Sequence, residues 1–103
     1  MREDVVFSAL SDPSRRRLIE SLAARESASL TELAAQLPVT RQAVSKHLAA
    51  LGAAGLVESS RAGRETRYSL TPQPLGDALA WIERIGGQWD ERFARLREHL
   101  ARS

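Results

Sequence analysis

Apolar residues recur through the first half of the chain at steps of three and four, the period of helices with one buried face. Leu18, Ile19 and Leu22 form such a stripe behind Asp12-Pro13. That pair reads as a helix start, with Asp12 as N-cap and Pro13 at the first helical position, where a missing N–H costs nothing. Phe7 and Leu10 belong to a short preceding helix that breaks at Ser11-Asp12-Pro13. Ser29-Leu30-Thr31-Glu32 has the spacing of a capping box, in which Ser and Glu satisfy each other's backbone amides. Leu30, Leu33, Ala34 and Leu37 mark the inner face of the short helix it opens, and Pro38 ends it. Thr40 caps the next helix, with Val39 and Val44 as a hydrophobic staple. That helix runs to about Ala54, and Gly55 stops it. Two helices joined by a turn of about three residues predict a helix-turn-helix.

The period then falls to two. Leu56 to Ser60 and Glu65 to Leu70 read as short strands, with Arg61-Ala62-Gly63-Arg64 as the hairpin tip. Thr66, Tyr68 and Leu70 share one face of the second strand; Glu65, Arg67 and Ser69 share the other. A hairpin directly after a helix-turn-helix is a wing. Thr71-Pro72-Gln73-Pro74 closes it, and one long helix follows over 75–101. Its apolar or small positions Leu75, Leu79, Ile82, Gly86, Trp89, Phe93, Leu96 and Leu100 alternate steps of four and three, a heptad seam. A rod of roughly 40 Å at 1.5 Å per residue outruns what one small domain covers. Ala78, Trp81 and Ile85 add a second apolar face, and Gly86-Gly87 is the expected place for a kink or a close helix contact. The predicted fold class is therefore mainly α with a small β-hairpin. It is a winged helix-turn-helix forming a single domain over 1–103, whose terminal helices (1–25 and 75–101) make a dimer interface.

Composition narrows the function classes. At 43% hydrophobic and 27% charged residues, the chain is globular, not disordered. No run of about 18 apolar residues predicts a membrane span, and Met1-Arg2-Glu3-Asp4 does not open a secretory signal. With no cysteine there is no disulfide framework and no thiolate metal site, and a cytoplasmic location is expected. No nucleophile–base pair or phosphate loop suggests an enzyme, and no cofactor is implied. The net charge of +2 is unevenly spread. Residues 1–39 hold five arginines against six acids, and 71–103 five against five. Residues 40–70 hold Arg41, Lys46, Arg61, Arg64 and Arg67 against only Glu58 and Glu65.

That excess falls on the second helix of the pair and the wing, which points to double-stranded DNA. On a helical wheel Val44, Leu48 and Leu51 face inward, while Gln42, Ser45, Lys46 and Ala49 face outward with Arg41 at the edge. Gln pairs with adenine edges and Arg with guanine, Ser or Thr reaches phosphate, and Ala49 allows close approach in a major groove. The predicted DNA-contacting set is Thr40, Arg41, Gln42, Ser45, Lys46, Arg61, Arg64 and Arg67. The predicted dimer contacts are Leu79, Ile82, Trp89, Phe93 and Leu96. For Arg61, Arg64 and Arg67 the rival reading is charge protection of a strand edge. His47 sits at the edge of the inner arc, as either a half-buried structural residue or a phosphate contact. His99 complements the dipole of the last helix. Trp81, Trp89 and Phe93 read as packing residues, not a ligand cage.

These residues resemble the ArsR family of winged-helix regulators. Phe7-Ser8-Ala9-Leu10-Ser11-Asp12-Pro13-Ser14-Arg15 is similar to the family's opening motif, and Leu30-Thr31-Glu32-Leu33-Ala34 to its second helix. Gln42 to Leu48, then Leu51 and Ala54-Gly55-Leu56-Val57, resemble its recognition helix and exit. Gly63-Arg64 and Tyr68-Ser69-Leu70 resemble its wing. The resemblance implies a homodimeric repressor on an imperfect palindrome. Metal-sensing members carry Cys-x-Cys where this chain has Ser29 and Thr31, and hydroxyls are poor ligands for soft metals. The Asp-x-His and His-x-x-Glu spacings of other members do not occur on the last helix. The metal-independent branch is thus implied, with no metal site and an effector unknown. Two rival readings are a protein-interaction module without specific DNA binding and a metal-responsive repressor with non-thiol ligands.

Overall fold

The computed structural model describes residues 2–102, without the side chains of Arg2 and Phe93. Helix α1 (Arg2–Leu10) turns into α2 (Pro13–Ala23) where the sequence places the break. Asp12 caps α2, its Oδ1 accepting from the amides of Ser14 at 2.8 Å and Arg15 at 3.2 Å. Burial opposes its ionisation, but those two amides, then the nearby charges of His47 and Arg15, outweigh it and hold the carboxyl below its ordinary value. The same turn closes α1 from the other side. Arg15 donates to the carbonyls of Ala9 (2.7 Å) and Ser8 (3.3 Å), and Arg16 to that of Leu10 (2.5 Å). Three carbonyls that end without helical partners thus receive cationic donors.

The core forms where the apolar stripes meet. Leu18 and Leu22 from α2, Leu33 from α3 (Leu30–Ala34), and Val44 and Leu51 from α4 (Arg41–Ala53) are all essentially without exposure. The capping box at α3 is complete: Ser29 Oγ accepts from the Glu32 amide at 3.2 Å, and Glu32 accepts from the Ser29 amide at 3.0 Å. Helix α3 ends earlier than the sequence suggests. After Ala34 the chain tightens into i→i+3 bonds, Gln36 to Leu33 and Leu37 to Ala34, so six residues and not about three separate α3 from α4. Helix α4 closes on a Schellman motif. Leu56 donates to Leu51 and Gly55 to Gly52, both at 3.0 Å, with Gly55 at φ 75° and the side chains of Leu51 and Leu56 buried together.

The wing is β2 (Val57–Ala62) and β3 (Glu65–Leu70), paired antiparallel from Val57↔Leu70 to Ala62↔Glu65. The first strand runs two residues further than expected, so the tip is the pair Gly63-Arg64 alone. Gly63 has φ 67° and Arg64 does not have positive φ, the pattern of a type II′ turn. The sheet also holds a strand that periodicity did not foresee. β1 (Ala28–Ser29) pairs with β3 at Ala28↔Tyr68 and Ser29↔Arg67, giving the order β1-β3-β2.

Helix α5 spans Gln73–Arg102, beginning two residues before the expected start. The amides of Leu75 and Gly76 bond the Pro72 carbonyl, and Pro74 falls in the first turn, where its missing N–H would have had no helical partner. At 30 residues the helix is about 45 Å long. Its second apolar face packs on the domain, together with Leu75 at the start of the heptad seam. Ala78 is buried, Trp81 and Ile85 are half-buried, and Trp81 meets Phe7 of α1 edge-on with ring centroids 5.5 Å apart. The helix is unbroken through Gly86-Gly87, and a Cβ at either would meet nothing within 4 Å, so no close contact within the chain is made there. Beyond Gly86 every described side chain is exposed. Among the described residues no helix is long and apolar enough to cross a membrane.

Candidate nucleic-acid interface

The outward face of α4 carries the polar groups that the wheel assigns to it. Arg41, Gln42, Ser45, Lys46 and Ala49 are exposed, whereas Val44, Leu48 and Leu51 are buried. Thr40 begins this face. Its Oγ1 accepts from the Ala43 amide at 3.1 Å, which leaves the hydroxyl proton available to an outside acceptor. There is no acid anywhere in α4. His47 is half-buried on the side toward Asp12.

The hairpin has two electrostatic faces. Residues directly opposite in the ladder share a face, so Val57, Ser59, Arg61, Thr66, Tyr68 and Leu70 lie together. Val57, Ser59 and Tyr68 of this face border a cavity with Ser45, Leu48, Ala49 and Gly52 of α4, so it is the face turned to the helix. It contains one charge, Arg61. Glu58, Glu65 and Arg67 all lie on the reverse face, and Arg64 is at the exposed tip.

Arg67 thus lies on the opposite face from Arg61. Its guanidinium is engaged behind the wing. Nε donates to Ser27 Oγ at 2.8 Å and Nη2 to the Ser27 carbonyl at 3.1 Å. Nη1 lies 3.0 Å from Glu65 and 3.2 Å from Glu32. Glu65, then Glu32, raise its pKa and keep it charged. The Ser29 amide and hydroxyl, with Arg67, hold the Glu32 carboxyl below its ordinary value. Ser27 and Arg67 are forty residues apart and joined by the unforeseen strand β1, so no local pattern signals this network.

Of the residues expected at a dimer contact, Leu79 (53%), Ile82 (48%), Trp89 (51%) and Leu96 (53%) are about half exposed. Arg92 lies over the Trp89 ring at 5.4 Å. The side chain of Phe93 lies outside the described residues. Among the described residues through Arg25, α2 spends Leu18, Ile19 and Leu22 on the core, and Val5 of α1 (49%) is the one large apolar group left exposed. Among the described residues no group of three His, Cys, Asp or Glu side chains is placed to hold a metal ion.

Residues 10–60 match the model of a helix-turn-helix domain family. The HTH-type transcriptional regulator YuzN of Bacillus subtilis is 39% identical, the match covering 79% of this chain and 96% of that protein. A solved ArsR-like transcriptional regulator from Rhodococcus sp. RHA1 superposes with a TM-score of 0.79 at 43% identity, covering 94% of this chain and 91% of that one. The chain belongs to the ArsR family. It is a DNA-binding transcriptional regulator with the winged helix-turn-helix fold. Another relative is the transcriptional repressor SdpR of Bacillus subtilis, 30% identical over 75% of this chain and 84% of its own length.

Proposed function

We propose that this ArsR-family chain is a homodimeric repressor that reads an imperfect palindrome by laying α4 in the major groove. The observation that carries the reading is the charge arrangement. Arg41 and Lys46 stand on an acid-free helix, and the wing turns Arg61 toward that helix while its acids face away. Arg41 and Gln42 read base edges; Thr40, Ser45 and Lys46 meet phosphate, as do Arg61 and Arg64 of the wing. Arg67 is left out of this set, since its donors are taken by Ser27, Glu32 and Glu65. Its role is to hold the wing against the start of α3.

The dimer reading rests on the seam of α5. Leu79, Ile82, Trp89, Leu96 and Leu100 expose apolar surface along a helix that leaves the domain behind, and such surface marks a partner contact. The same helix of a second copy offers the matching seam. Repression, not activation, follows the relative SdpR, a transcriptional repressor. Thiophilic metals have no role in this reading, because the chain has no cysteine. The test is selection of bound duplexes from a random pool, with sedimentation of the complexes. Recovery of a two-fold motif with half-sites about 34–36 Å apart, bound by two chains, supports the proposal. A single unrepeated motif bound by one chain overturns it.

A further inference from the structure

A cavity of about 240 Å³ lies between α4 and the wing, beside the residues assigned to DNA. We propose that it seats one phosphodiester group of the DNA backbone, held by the hydroxyls of Ser45, Ser59 and Tyr68. This rests on the docking of α4 in the major groove proposed above.

Four features support a phosphate there. Hydroxyl-bearing residues from both elements line the same cavity: Ser45 of α4, and the cross-strand pair Ser59 and Tyr68 of the wing. None of the three has a side-chain hydrogen bond within the chain among the described residues, so all can donate to acceptor-only oxygens. The helix wall is cut back at Ala49 and Gly52, and Gly52 has only the Val57 carbonyl near a would-be Cβ, at 3.8 Å. A strand can therefore come close. Finally, the surroundings are cationic. Lys46 follows Ser45, Arg61 stands two residues beyond Ser59 on the same face, and the acids of the wing are behind it. A helix in the groove and a wing beside it leave the intervening strand to pass over this cavity.

The chemistry sets a distinctive signature. Hydroxyls bind phosphate without displacing a condensed counterion, so they add affinity without adding to the salt dependence, whereas a cation adds to both. The experiment is a titration of the full chain on its selected duplex and on an unrelated duplex, across a salt series, for wild type, Tyr68→Phe, Ser59→Ala, the double variant and Lys46→Ala. Tyr68→Phe keeps the ring that packs against the core, and thermal melts check that each variant is folded. The double variant is expected to bind both duplexes at least about tenfold more weakly, because hydrogen bonds to charged groups are lost. Its plot of log Kd against log salt keeps the wild-type slope, while Lys46→Ala lowers the slope by about 1. Unchanged affinity in a folded double variant, a loss confined to the selected duplex, or an altered slope each overturns the phosphate seat. If Lys46→Ala also leaves affinity and slope unchanged, the docking of α4 fails, and the seat with it.

Discussion

The guanidinium of Arg67 on the wing lies 3.2 Å from the carboxylate of Glu32, the residue that completes the capping box of α3. One acid thus serves the Ser29 amide at the helix cap, Arg25 at 3.7 Å, and a strand residue 35 positions further along the chain. Helix α3 and the wing are tied at this point.

The tie has a pH signature. Glu32 is held below its ordinary value of 4.5, first by the Ser29 amide. A carboxyl with a depressed folded pKa contributes stability that is present above its unfolded pKa and is lost as pH falls through the folded value. Glu32→Gln is therefore expected to be less stable than wild type at pH 7, with the gap closing as pH falls well below 4.5. Urea unfolding across that range checks this, and a gap that stays constant excludes the assignment.

Arg67 and the outward arginines are expected to separate in binding. Arg67→Gln lowers the melting temperature but leaves the salt slope of DNA binding near wild type. Changing Arg61 and Arg64 to Ala lowers the slope and weakens specific and unrelated DNA alike, since phosphate contacts carry little sequence information. A slope decrease of about 1 in a folded Arg67→Gln would return this residue to the DNA contacts.

Sequence choice is assigned to the start of α4. Arg41→Ala and Gln42→Ala are each expected to cost about 1–3 kcal/mol on the selected duplex and to relax preference at the bases they meet. Competition against single-base variants of the duplex measures it; wild-type discrimination in both would place base reading elsewhere.

Ile82→Glu with Trp89→Glu is expected to shift the protein to monomer and abolish tight binding while leaving the domain folded, because both side chains stand about half exposed outside the core. Sedimentation of wild type and variant decides it. A wild-type monomer at micromolar concentration removes the basis for the dimer.

Arsenite, cadmium and zinc are expected to leave DNA affinity unchanged, for want of thiolates or a convergent set of other ligands among the described residues. A stoichiometric, reversible loss of binding with zinc, abolished by His99→Ala, would contradict this.

The parts of the fold legible in the sequence are those governed by local rules. The caps at Asp12, Ser29 and Thr40, the αL stop at Gly55 and the wheel of α4 each follow from residues within one or two turns. What escaped notice is non-local. Two residues, Ala28-Ser29, show no period, and become a strand only because β3 is there to pair with them. Arg67 looks like its neighbours Arg61 and Arg64 until that pairing brings Ser27 and Glu32 beside it. On α5, two apolar faces are plain in the pattern, but only the packing of Trp81 against Phe7 tells which one the domain uses.

The two-residue tip at Gly63-Arg64 carries a consequence for the sign of the wing. Alternate residues of the hairpin point to opposite faces, so its register decides which charges meet DNA. As paired, Arg61 looks toward α4, and Glu58, Glu65 and Arg67 look away. A slip of one residue in β3 would put Glu65 on the helix side and Tyr68 on the reverse. Gly63, the residue whose positive φ sustains the tight tip, is thereby the polarity switch of the surface, although it carries no charge and a Cβ there would meet nothing within 4 Å. Lengthening this turn by one residue would test the chain's electrostatics more severely than removing any single arginine.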